Sequence, residues 1–135
     1  MTVLLDTNAC IAAINGRPAV LRERLNRRTA RGDTVSVSAI SVFELRYGIA
    51  KSAQIVHNRE RTELFLVSAR ILPFDDNDAE LAGDIRAALE RAGTPIGPYD
   101  YLIAAQALRH DLLLVTANVR EFSRVEGLRW EDWTT

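Results

Sequence analysis

Two short apolar runs lie near opposite ends of this chain, Val3–Leu5 and Leu112–Val115, and each stops at a polar residue, Asp6 and Thr116. Apolar runs of strand length without polar alternation suit strands covered on both faces, as in a parallel sheet. Thr34–Ser38 alternates Val35 and Val37 with polar residues, and Ile71–Phe74 and Leu128–Trp130 complete a set of strand-like segments. Helical spacing fills the intervals. A helix is expected over Ala9–Ile14, stopped by Gly16, and another from Pro18 to the stop at Gly32. Two more cover SVFELRYGI and Val56–Ala69. Leu81, Ile85 and Leu89 mark one that ends at Gly93, after the turn-rich Asp75–Asp78. The last two run from Pro98 to Arg109 and through Arg120. Strands alternating with helices predict an α/β fold with a central, mainly parallel sheet flanked by helices. The helical pair near residues 42–69 is an inserted arm on that pattern.

At 135 residues the chain reads as one domain, residues 1–135, with an ordinary 47% hydrophobic and 26% charged content. No apolar run of about 18 residues predicts a membrane span. The start lacks the basic and apolar segments of an export signal, so none is expected. Cys10 is the only cysteine, which excludes an internal disulfide and fits a reducing cytoplasm. The net charge of −1 selects no class of partner, but its distribution is uneven. Lys51 is the only lysine, and PAVLRERLNRRTARG holds five arginines between Arg22 and Arg31. Arginine forks match phosphate, so Arg27 and Arg28, with Arg120, are candidates for gripping a nucleic-acid backbone; a solvated helix face is the alternative.

In open sheets of this kind, sites form at the carboxyl ends of strands. Asp6 and Thr116 fall at such ends. Glu44 lies about one turn past the second strand, Asp100 in the first turn of a helix opened by Gly97-Pro98, and Glu121 just after the fourth strand. All four acids are expected at one edge. Each has a structural explanation as well. Ser41 with Glu44, and Asn118 with Glu121, have the form of capping boxes, and the helix dipole favours Asp100. Asp6 has the weakest such excuse. Acids clustered without an intervening base repel one another unless a cation joins them, and oxygen-only donors select hard ions such as Mg²⁺ or Mn²⁺. Ions held that way activate water for phosphodiester hydrolysis. No histidine pair, cysteine cluster or glycine-rich phosphate loop competes, and His57 and His110 read as surface residues.

LLDTN at 4–8, SVFELRYG at 41–48, PIGPYDYLIAAQA at 95–107 and LLLVTANVREF at 112–122 together resemble the PIN-domain ribonucleases, and more closely the VapC-type toxins of bacterial toxin–antitoxin pairs. The tail GLRWEDW at 127–133 is similar too. The resemblance implies a PIN-like fold and a Mg²⁺-dependent endoribonuclease, with Mn²⁺ able to substitute. It implies that Asp6 and Asp100 bind metal, that Glu44 completes the catalytic pocket, and that Asn8, Thr116 and Asn118 orient ligands or water. Many relatives carry aspartate where this chain has Asn118, with Glu121 supplying the nearby charge and one ion preferred to two. It further implies cleavage of RNA, with initiator tRNA in its anticodon loop as the substrate. The implied partners are a VapB-like antitoxin and a second copy of the chain in a homodimer. Phe43, Leu45, Tyr47 and Ile49, with Leu64, Phe65 and Val67, would line the antitoxin groove or else pack into the core.

Two other readings compete. A non-catalytic binding module of the same fold would use the acids only as helix caps. A phosphotransfer or receiver domain would need an acid pair after the first strand and a lysine after a late one, and this chain has neither.

Overall fold

Backbone hydrogen bonding gathers the apolar runs into one five-stranded sheet. The computed structural model describes residues 1–135, with strands β1 (Thr2–Leu5), β2 (Thr34–Ser38), β3 (Arg70–Leu72), β4 (Leu113–Val115) and β5 (Trp130–Glu131). Their order is β3-β2-β1-β4-β5, and every neighbouring pair is parallel. Seven helices connect them: α1 (Thr7–Asn15), α2 (Ala19–Ala30), α3 (Ala39–Ala50), α4 (Ile55–Val67), α5 (Asp76–Arg91), α6 (Pro98–Arg109) and α7 (Val119–Phe122). This is the α/β architecture expected, and α3 and α4 form the arm.

β1 is central and covered on both sides, which explains its unbroken apolar sequence. Side chains alternate across a strand, so Val3 and Leu5 face one layer and Leu4 the other. The first layer holds α1 to α4 through Cys10, Leu21, Leu45 and Leu66, with Trp133. The second holds α5, α6 and α7 through Leu89, Ile103, Ala104 and Phe122. Leu4 is fully buried, so truncation to alanine costs about 3 kcal/mol.

Several boundaries differ from the sequence expectation. The third strand stops at Leu72 and leaves Ile71 exposed. The last strand is displaced toward Glu131. The stretch Asp75–Asp78 does not precede its helix but opens it. Asp75 accepts from the Asp78 N–H while Asp78 accepts from the Asp75 N–H, a complete capping box. α3 begins at Ala39 with Ser38 as its cap, so Ser41 sits inside the helix rather than ahead of it.

The strand order positions the site. From β1 the chain moves outward to β2 and β3, then returns to the other side of β1 with β4. The carboxyl ends of β1 and β4 therefore flank the point where the winding direction reverses, the place where open α/β sheets form crevices. The Asp6 N–H donates to the Val115 carbonyl across that junction at 3.1 Å.

Candidate active site

Asp6 leaves β1 at that reversal and caps α1. Its Oδ1 accepts from the Ala9 N–H at 2.8 Å, and its Oδ2 accepts from the Thr116 hydroxyl at 2.6 Å. The helix cap that sequence alone offered as a weak excuse is thus real, but it uses only one oxygen. Asp6 is 4% exposed. Burial pushes its carboxyl above the ordinary range, and the nearby charges of Glu44 and Asp132 add to this against the two hydrogen bonds.

Glu44 projects from the second turn of α3. Its carboxylate accepts from the Thr7 hydroxyl at 2.7 Å, and the same hydroxyl lies 2.9 Å from Ser41 Oγ. The capping-box reading of Ser41 and Glu44 therefore fails: Ser38 caps the helix, and Glu44 is held by the residue that follows Asp6. Asn118 fails the same way. It stands at the N-cap of α7 without a side-chain cap bond, and its amide donates to Glu121 Oε2 at 2.7 Å.

Asp100 lies in the first turn of α6, half-buried. Its carboxyl is pushed up to about 7, first by burial, then by its hydrogen bond to Glu121 and the charges of Glu121, Asp6 and Glu44. Glu121 moves the opposite way. The Asn118 amide, the Asp100 carboxyl and the Gly97 N–H hold it below its usual range. The contact between the two carboxyl groups thus drives them apart, Asp100 up and Glu121 down. Gly97 makes this approach possible through space rather than backbone freedom. A Cβ there would stand 2.9 Å from Asp100 Oδ2.

The four acids influence one another at the carboxyl edge of the sheet, and none forms an ion pair with arginine, lysine or histidine. Oxygen-only donors with an unneutralised charge match the chemistry of Mg²⁺ or Mn²⁺. No three of these carboxylates, however, gather closely enough to make a full ligand set unaided. Water or substrate oxygens would complete the shell, as Mg²⁺ commonly requires. Each of the four is held by a protein partner: Asp6 by Ala9 and Thr116, Glu44 by Thr7, Asp100 by Glu121, and Glu121 by Asn118.

The remaining residues separate into used and unused. Thr116 bonds Asp6 and also accepts from the Asn118 N–H at 2.9 Å. The exposed Asn8 side chain makes no hydrogen bond. Arg24, Arg27, Arg28 and Arg31 line a cleft without any apolar residue. Arg28 is already occupied by Asp33, Glu131 and the Trp133 ring, whereas Arg27 and Arg120 have no ion-pair partner. Of the groove residues, Leu45 and Ile49 are buried, Phe65 is half-buried, and Phe43, Tyr47, Leu64 and Val67 are exposed. Sequence reasoning passed over Thr7 and Asp132. Thr7 was visible as the first residue of α1, directly after Asp6. Asp132 was hidden because β5 ends one residue later than expected, which carries it to the same edge beside Thr116.

The family description "PIN domain" matches residues 3–128. The tRNA(fMet)-specific endonuclease VapC of Salmonella typhimurium is 44% identical over 130 residues, 96% of each chain. Ribonuclease VapC2 of Rickettsia felis is 36% identical over 133 residues, 98% of each. The crystal structure of VapBC2 from Rickettsia felis bound to a promoter DNA fragment aligns with a TM-score of 0.92 at 35% identity, covering 98% of this chain and 99% of that one.

Proposed function

This chain belongs to the PIN-domain family, among the VapC-type ribonucleases, and from that premise we propose a Mg²⁺-dependent endoribonuclease centred on Asp6, the toxin of a toxin–antitoxin pair. The observation that carries the reading is the uncompensated acid cluster at the reversal point of the sheet. Asp6 and Asp100 would hold a divalent ion, Mg²⁺ or Mn²⁺ in its place, which would supply an activated water and neutralise charge developing at phosphorus. Ala9 and Thr116 fix the Asp6 carboxylate in one orientation at the end of β1. Thr7 orients Glu44, which holds or accepts the proton of the attacking water. Glu121 and Asn118 control the proton on Asp100, which must leave before Asp100 presents a bare carboxylate.

The substrate we assign is RNA, and within it tRNA, on the strength of the likeness to the tRNA(fMet)-specific endonuclease from Salmonella typhimurium. Initiator tRNA cut in its anticodon loop is the finer form of the proposal. Arg27 and Arg120 are the free cations best placed to hold phosphates, and Arg28 serves less, being paired already. The likeness to VapBC assemblies supports a VapB-like antitoxin as partner. The groove between α1, α3 and α4, floored by Leu45 and Ile49 with Glu44 at one end, is the seat we assign to it. A homodimer of one-domain chains in the cytoplasm completes the proposal; no helix is long and apolar enough to cross a membrane.

The test is incubation of the antitoxin-free chain with total tRNA, with Mg²⁺ or with chelator. Discrete fragments formed by the wild type with metal, and by neither the chelated protein nor Asp6→Asn, are expected. Fragments that persist in chelator would refute a metal-dependent reaction.

A further inference from the structure

Three aromatic side chains stand in solvent at the mouth of the acid crevice: Phe43 is 54% exposed, Tyr47 59% and Tyr99 43%. Their placement follows from the chain. Phe43 directly precedes Glu44, and Tyr99 directly precedes Asp100, so each acid carries a ring beside it at the rim. The two rings meet edge to face across the crevice, with centroids 5.8 Å apart and planes at 71°. Tyr47 lies one turn farther along α3, and the Lys51 ammonium sits 4.7 Å from its ring centroid. These residues, with Asn8, line a cleft of about 620 Å³ that includes Glu44.

We propose that this cleft is a stacking platform for unpaired bases flanking the scissile phosphate, so that the enzyme selects single-stranded loops over duplex. The inference rests on the ribonuclease reading. Every base offers a π-face to an aromatic ring, but A-form duplex keeps those faces stacked on one another. An edge-to-face ring pair leaves ring surface open for a base on either side of the contact. The rim supports RNA rather than an apolar protein surface. Lys51 supplies a phosphate contact, and the unbonded Asn8 amide supplies donors and an acceptor for a base edge. An apolar partner covering the cleft would leave both of them buried without partners, at a penalty.

The experiment measures binding of a hairpin RNA carrying a fluorescent purine analogue in its unpaired loop, using the Asp6→Asn chain so that nothing is cut. The fluorescence is expected to quench on binding, and a fully paired duplex of the same composition is expected to bind weakly. Phe43→Leu and Tyr99→Leu should each weaken loop binding about tenfold and relieve the quenching. Phe43→Trp should preserve both, which a merely structural role would not require. Unchanged affinity and quenching in both leucine variants would overturn the platform. So would a loss of affinity that tracks a change in solution mass by sedimentation, because the rings would then belong to a contact between copies of the chain. The readout is independent of cleavage: a wild type that binds and quenches the loop but cuts no RNA with Mn²⁺ refutes the ribonuclease reading, and with it the placement beside a scissile phosphate, whereas leucine variants that bind and quench normally refute the stacking itself.

Discussion

The protein contains two groups of acids built from the same residue types and treated in opposite ways. At the start of α5, the fully buried Asp78 receives Arg109 at 2.7 Å, and Asp75 receives the same guanidinium at 3.1 Å. The Asp78 N–H and then Arg109 hold Asp75 below the usual carboxylate range. At the carboxyl edge of the sheet, Asp6 is buried and Asp100 half-buried, neither has an ion-pair partner, and both are pushed upward. The first group is electrostatically finished and serves the fold. The second is left incomplete, which is the condition for recruiting a cation from outside.

The comparison breaks most visibly through substitution. Asp6→Asn and Asp100→Asn are expected to lower cleavage by about a thousandfold, the rate equivalent of several kcal/mol of metal-assisted charge stabilisation, with the fold intact by circular dichroism. Near wild-type rates in either variant would remove that residue from the site. Thr116→Val deletes the hydroxyl on Asp6 and should weaken Mn²⁺ binding by about 10- to 100-fold in a calorimetric titration, as loss of an orienting bond does elsewhere. Asp78→Ala inverts the pattern. It should lose about 2 kcal/mol in urea unfolding through its cap and buried pair, while activity per folded molecule stays at the wild-type level.

The opposed shifts also separate by pH. Asp100 has a folded value of about 7, above that of the unfolded chain, so folding favours its neutral form. Its contribution is complete below the ordinary carboxyl range and is lost as pH rises through about 7. Asp75, shifted down, contributes above the ordinary range and loses that contribution on acidification. Added Mg²⁺ should therefore raise the melting temperature more at about pH 8 than at about pH 5, where Asp100 retains its proton. An equal rise at both would contradict metal binding by Asp100. The smallest effect belongs to Arg27→Ala, which should weaken RNA binding a fewfold and reduce the salt-dependence slope by about one phosphate contact.

The architecture was legible because β1 and β4 are covered on both faces, and continuous burial writes continuous apolar sequence. The site was legible because strand ends place Asp6 and Thr116 at a sheet edge whatever the helices do. Local chemistry was harder to read. Ser38 and Ser41 both suit a helix cap, and only the pairing of β2 with β1 and β3 decides for Ser38, freeing Ser41 and Glu44 to meet Thr7. Asp75–Asp78 resembles a turn because aspartate favours turns and caps alike. Arg109, the guanidinium that neutralises this pair, is more than thirty residues away in sequence. Asp132 shows the same limit. A two-residue strand has too little pattern to fix its own end, so its acid reaches the site only through the register of β5 on β4.

Titration of the antitoxin-free protein with Mn²⁺, followed by electron paramagnetic resonance, asks directly whether the incomplete acid group is a cation site. The wild type and Asp78→Ala are expected to bind the ion, and Asp6→Asn and Asp100→Asn to lose it. Binding that survives Asp6→Asn, or a wild type that takes up no Mn²⁺, would contradict the account.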